Sequence, residues 1–254
     1  MQTGETGASV KAAARTLDVI EAFARATAPL SLSALAAEIG APLSSCHGIA
    51  RTLQARGYLY ALESKRRLYP TRKLYEVAAG MARHDPLLER LRPALTALRD
   101  RTGETVVLAR REGDEVVYLE VLESPQTIRY ATKPGERKPI HSSSLGKALL
   151  SLDDRAAFDG FLRRSPLRAV TPHTIVDGAK LWQQLQESHK LGYTTSRAEN
   201  VIDVTAIAML VNIAGETLSL ASAGPIARYE ARFDDNLAAL RATIDQLRRD
   251  GIVA

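Results

Sequence analysis

The chain has 254 residues, 45% of them hydrophobic and 25% charged, with a formal net charge of +5. This is a globular composition with room for one large domain or two ordinary ones. No apolar run reaches the length of a membrane span, and MQTGETGASVKAAAR lacks a signal-peptide core, so a cytoplasmic protein with no membrane partner is expected.

The single Cys46 excludes an internal disulfide framework and a cysteine-rich metal site. The five histidines show no metal-ligand spacing, and no metal or cofactor is expected. The charge is unevenly placed. Residues 1–75 hold 10 Lys or Arg against 5 Asp or Glu, whereas residues 76–254 hold 24 against 24. The whole basic excess lies in the first part, as in a phosphate-binding module joined to a neutral second domain.

Residues 1–9 are small and polar and read as a tail. A first helix follows from about Lys11 to Ala26, with Leu17, Ile20, Phe23 and Ala24 as its inner stripe. In LSLSALAAEIGAPLSSCHGIARTLQARGYL two helices meet at a tight turn. Leu32, Leu35, Ala36 and Ile39 share one face, Ser31 or Ser33 caps the start, and Gly40 with Pro42 ends the helix. The next helix opens at Ser44 or Ser45 and turns Cys46, Ile49, Ala50 and Leu53 inward. Its outer face is Ser44, His47, Gly48 and Arg51. The apolar pattern alone fits a plain helical hairpin equally well, but the small, polar and cationic outer face fits a DNA-reading helix-turn-helix.

Gly57 leads into Tyr58–Leu62, a polar turn containing Lys65, Arg66 and Arg67, and then Leu68-Tyr69. This is a β-hairpin with a cationic tip, which makes a winged helix-turn-helix and offers phosphate contacts. A helix over residues 72–84 carries Leu74, Val77, Ala78 and Met81 as an apolar stripe suited to a partner subunit or the second domain. The expected organisation is thus a DNA-binding domain at 1–71, a linker helix at 72–84 and a second domain at 85–254.

The second half opens with a helix from Asp85 to Thr102, Leu88, Leu91, Leu95 and Leu98 facing inward and Gly103 at its end. Strands are expected at Glu104–Arg111, Glu115–Glu123 and Thr127–Lys133. Helices follow from about Ser144 to Leu152, then through Arg163, and at Asp177–Leu191 closed by Gly192. Strands at Tyr193–Arg197, Val204–Asn212 and Glu216–Ala223, the last two joined by Ala214-Gly215, precede a final helix at Phe233–Arg249. Antiparallel strands with flanking helices make an α+β fold.

This order of motifs resembles the IclR family of bacterial transcription regulators over nearly the whole chain. The resemblance rests on Arg15–Ile20, Leu32–Ala36, Leu53–Tyr58, Arg101–Thr105, Pro139–His141, Leu145–Ala148, Thr171–Ile175 and Ser222–Pro225. It implies a winged-helix DNA-binding domain, a linker helix and a GAF-like effector domain with an antiparallel sheet. It also implies a homodimer or dimer of dimers on a palindromic double-stranded DNA operator. One departure is Gly48 after His47, where such proteins usually carry an Arg. A guanine-reading fork is missing there, and Gly weakens a helix by roughly 1 kcal/mol relative to Ala. Relatives often have Gly and Cys where this chain has Asp203 and Ala206, which leaves the shape of Glu199–Asp203 open.

Carried over position by position, the resemblance implies an effector pocket lined by Thr127, Tyr130, Ser144, Leu145, Ser196, Val204, Ala206, Ala221 and Ala223. Ser143, Ser144 and the first amides of their helix are suited to a carboxylate, although plain N-capping explains the serines as well. Arg129 reads either as an anion partner or as a solvated neighbour of Tyr130. Three small alanines suggest a pocket roomier and less polar than one built for a two-carbon acid, and with Tyr130 nearby an aromatic carboxylate or similar small-molecule effector is expected. The competing enzyme reading is Ser144-x-x-Lys147, the nucleophile signature of penicillin-recognising acyl transferases. The Ser-Asp-Asn and Lys-Thr-Gly partners of that chemistry are absent from the sequence.

Overall fold

The computed structural model describes residues 10–26, 28–62, 67–83 and 86–253, in two compact units, Met1–Asp85 and Pro86–Ala254. The tail reading at 1–9 and the wing-tip residues Lys65 and Arg66 lie outside the described residues.

The first unit consists of α1 (Lys11–Arg25), β1 (Leu30–Ser31), α2 (Leu32–Glu38), α3 (Leu43–Ala55), β2 (Leu59–Leu62), β3 (Arg67–Pro70) and α4 (Lys73–Arg83). Local chemistry sets its turns. Ser31 Oγ accepts from Ala34 N at 3.1 Å and caps α2. Gly40 sits at φ +57° and lets the chain reverse into α3. Leu35, Ala36, Cys46, Ala50 and Leu53 close on Val19, Ala22 and Phe23 to form the core. Leu35 is fully buried, so truncation to Ala costs about 2–5 kcal/mol.

On α1 the expected stripe is corrected. Leu17 is 60% exposed and Ala24 is exposed, while Val19 and Ala22 are buried. The α1 face is chosen by where α2 and α3 lie, which its own periodicity does not specify. β1, too short for a sequence signal, pairs with β3 to make a three-stranded sheet of order β1-β3-β2.

The second unit begins with α5 (Pro86–Thr102), β4 (Thr105–Glu112), β5 (Glu115–Leu122) and β6 (Arg137–Pro139). It continues with α6 (Ser144–Leu150), α7 (Arg155–Arg164), α8 (Gly178–Leu191), β7 (Thr194–Arg197), β8 (Val204–Ile213) and β9 (Glu216–Pro225). It ends with α9 (Ile226–Glu230) and α10 (Phe233–Arg249). Its antiparallel sheet has the order β6-β5-β4-β9-β8-β7. One face packs Val106, Leu108, Leu218 and Leu220 against Leu91, Leu95 and Leu98 of α5 and Leu240, Ile244 and Leu247 of α10. The other packs Val107, Ala109, Ala208 and Ala221 against Leu145, Ala148 and Leu149 of α6, Phe158 and Phe161 of α7, and Leu181 and Leu185 of α8. Burial on both faces is why Val106–Ala109 reads as an unbroken apolar run.

The strand expected at Thr127–Lys133 is absent. Pro125 and Pro134 bracket this stretch and cannot donate to a ladder. Side chains satisfy its backbone instead: Thr105 Oγ1 donates to Tyr130 O at 2.5 Å and Arg228 Nη1 to Ile128 O at 3.1 Å. The outer edge of β5 is taken by β6, with Val116 opposite Lys138. Between β8 and β9, Ala214 and Gly215 both take positive φ, 52° and 84°, as a two-residue type I′ turn requires.

Candidate functional site

Two surfaces gather the candidate residues. On α3, Ser44, His47, Gly48 and Arg51 are exposed along one face opposite the buried Cys46, Ala50 and Leu53. Ser45 is half-buried and accepts from Arg15 Nη1 at 2.8 Å, so it ties α3 to α1. Arg67 stands exposed at the start of β3. A Cβ added at Gly48 meets nothing within 4 Å, so packing inside the unit does not require glycine there.

In the second unit strand register builds a floor. Ser196 lies opposite Ala206, Ala206 opposite Ala223, and Ala223 opposite Thr105. One row along, Ala208 faces Ala221 and Ala221 faces Val107. Over this floor lie the start of α6 and the turn after β7. Together they enclose about 390 Å³ of empty space, counted out to its open mouth. Of the sequence-derived positions, Tyr130, Ser143, Ser144, Leu145, Ser196, Val204, Ala206, Ala221 and Ala223 line this cavity.

Thr127 and Arg129 do not line it. Thr127 is exposed, and Arg129 pairs with Glu123 at 2.9 Å, because the loop that replaces the expected strand turns both outward. Tyr118 and Tyr130, hydroxyl to hydroxyl at 3.2 Å, stand in the cavity wall.

Val107, Tyr118, Asn200 and Val201 complete the lining and were not singled out from sequence. Alternation along β5 would have found Tyr118 on the buried side with Val116. A β-bulge lets Tyr118 pair with Ala109 while Glu120 pairs with Leu108, and Glu120 turns away to Arg92 at 2.7 Å. Burial pushes the Tyr118 phenol well above the ordinary tyrosine range, helped by Tyr130, so it stays protonated. Asn200 carried no periodic signal because it sits in an irregular turn.

Among the described residues no Lys, Arg, Asp or Glu side chain lines the cavity. Its polar groups are hydroxyls and one amide. Ser196 Oγ donates to Ser142 O at 3.0 Å, and Asn200 Nδ2 donates to Ser142 Oγ at 2.8 Å. Ser143 caps α6, accepting from Gly146 N at 3.1 Å. Gly146 is required there, because a Cβ would stand 2.1 Å from Ile140 O. The Lys147 ammonium is committed to Glu199 at 2.7 Å and Gln184 at 3.1 Å, with no hydrogen bond to Ser144 among the described residues. That removes the base an acyl-transfer serine would need.

The architecture, a helix-turn-helix unit followed by a sheet with helices on both faces, is matched by family profiles. The profile of the bacterial transcriptional regulator IclR C-terminal domain covers residues 79–249, and that of the IclR helix-turn-helix domain covers residues 12–63. The chain belongs to the IclR family.

Among curated relatives, the transcriptional regulator BhcR of Paracoccus denitrificans is 29% identical over 97% of this chain and 88% of its own length. The repressor AllR of Escherichia coli K12 is 27% identical over 86% of this chain and 82% of its own. A regulator from Rhodococcus sp. RHA1 shares the fold with a TM-score of 0.77 at 22% identity, covering 95% of this chain and 98% of that one. An IclR homologue from Microbacterium hydrocarbonoxydans, solved in complex with 4-hydroxybenzoate, has a TM-score of 0.67 at 24% identity over 91% and 99% of the two chains. This IclR-family chain is a transcription regulator, with no enzymes among those relatives. No helix of its described residues is long and apolar enough to cross a membrane.

Proposed function

We propose that this regulator binds a palindromic operator as a homodimer or dimer of dimers and that an aromatic carboxylate in the cavity of the second unit controls its affinity. The cavity itself carries the reading: an apolar floor of alanine and valine, tyrosine hydroxyls in the wall, and Ser196 and Asn200 as neutral polar groups. Such a lining suits a flat apolar body with one polar end. The Microbacterium homologue in complex with 4-hydroxybenzoate supports this choice of ligand class.

DNA contact is assigned to Ser44, Ser45, His47, Gly48 and Arg51 of α3 and to Lys65, Arg66 and Arg67 of the wing. The exposure of the α3 face and the basic excess of residues 1–75 support it. Self-association is assigned to α4, whose Tyr75 and Met81 are each 68% exposed and Val77 40%.

Fluorescence anisotropy with duplexes from the region upstream of the chain's own gene tests the reading. Nanomolar-range binding that falls steeply between low and physiological salt is expected, and 4-hydroxybenzoate should shift it. Binding that ignores salt, or no binding to any duplex, overturns it.

A further inference from the structure

The second unit hides a charged pair that the cavity does not use. Lys147 is 1% exposed and Glu199 8%, and they meet at 2.7 Å. Gln184 is the other partner of the ammonium, at 3.1 Å, while Glu199 Oε2 is buried with no partner. Neither Lys147 nor Glu199 lines the cavity. A buried ion pair contributes little net stability because desolvation offsets the attraction, but it can select one conformation among several.

The conformation it selects here is visible. Ala198 is held at φ +57°, a left-handed state that a side chain disfavours. Two threonines grip the turn from below, Thr171 Oγ1 donating to Ala198 O at 2.5 Å and Thr174 Oγ1 to Glu199 O at 2.6 Å. The next two residues, Asn200 and Val201, form part of the cavity wall. This turn is the irregular part of the cavity wall, so its position bears directly on the shape a ligand meets.

We propose that Lys147 and Glu199 are positioning residues, untouched by ligand, that hold the 198–201 turn against the cavity and thereby set which ligands it admits. The inference rests on the cavity being the effector site.

Hydrogen exchange of the full chain, read by mass spectrometry, tests the positioning role without any ligand. In Glu199→Gln and Lys147→Met, exchange across residues 198–203 should rise at least tenfold while peptides of β9 and α10 keep their wild-type rates. Unchanged exchange at 198–203, or a uniform rise across the second unit, overturns the proposal. If a single variant fails to fold, the charge-free double variant Lys147→Met with Glu199→Leu is measured against the same two outcomes.

Calorimetric titration with 4-hydroxybenzoate and benzoate adds a second readout. The ratio of the two affinities should differ at least threefold between wild type and Glu199→Gln, and an unchanged ratio overturns the selectivity role. If wild type binds neither acid, the aromatic-acid reading fails, and the exchange result still decides the positioning role.

Discussion

Lys73, the first residue of α4, donates its ammonium to the carbonyl oxygen of Arg56 at 2.8 Å, just beyond the end of α3. The same ammonium lies 4.8 Å from the centre of the Tyr58 ring, and Thr71 Oγ1 donates to Gly57 O at 2.6 Å. A cation at a helix C-terminus is favourable both to the open carbonyls and to the dipole. The clip fixes α4 to the helix assigned to reading DNA, which makes it a route by which the position of α4 reaches that helix. Lys73→Met should lower the effector-induced change in operator affinity at least threefold and leave effector-free binding near wild type. Anisotropy titrations with and without 4-hydroxybenzoate measure both; a full response in the variant removes the clip from the route.

Pocket and DNA surface should separate by mutation. Ala221 is 1% exposed and Ala223 4%, so Leu at either position fills the cavity. Effector affinity should fall at least tenfold with effector-free DNA binding nearly intact. Arg51→Ala should do the reverse, lowering DNA affinity and salt dependence while calorimetric effector binding stays unchanged. Linkage requires that DNA alter effector affinity by the same factor that effector alters DNA affinity, typically 5–150-fold. An unaltered response after filling at both alanines would show that the cavity is not the effector site.

Acid should loosen the second unit through His141. Burial lowers its pKa below the ordinary 6.5, and the hydrogen bond to Arg168 O and the Glu199 carboxylate only partly oppose that. The folded state therefore keeps a neutral imidazole where the unfolded chain already takes a proton. Stability from this group is present above pH 6.5 and is lost as pH falls toward the folded pKa, by up to about 1.4 kcal/mol per pH unit. Denaturant melts of wild type and His141→Gln between pH 7 and 5 should converge as pH falls, the variant showing the shallower slope. Parallel slopes would refute the assignment.

Three glycines should respond differently to a single methyl group. At Gly48 the site is open, so Ala should stabilise the fold by up to about 1 kcal/mol. At Gly224 a Cβ would stand 2.2 Å from the Glu104 carboxylate, which is 2% exposed and held by Arg228 at 2.7 Å. Gly224→Ala should cost about 1–3 kcal/mol by forcing that pair apart. Gly146→Ala should cost more, since the obstacle is the backbone of Ile140 and not the end of a side chain. Thermal melts rank the three, and a Gly224→Ala protein as stable as wild type would contradict the packing described.

Local chemistry made much of the architecture legible in the sequence. The 3.6-residue spacing located α2, α3, α5 and α10, whose final span matches expectation at Phe233–Arg249. Gly40 and Gly192 were placed at helix ends because both positions need left-handed backbone. The cavity positions at Ala206, Ala221 and Ala223 came from resemblance, and only strand register explains why they meet.

What the sequence alone could not determine is whatever depends on contacts between distant segments. The stretch Thr127–Lys133 has strand-like residues, but two prolines and the side chains of Thr105 and Arg228 settle its path as a loop that carries Arg129 away from the cavity. Lys147 and Glu199 lie 52 residues apart and have no shared periodicity. A helix or turn is chosen by neighbours within a few positions, whereas a cavity wall and a buried ion pair are chosen by how the sheet and its covering helices close on each other.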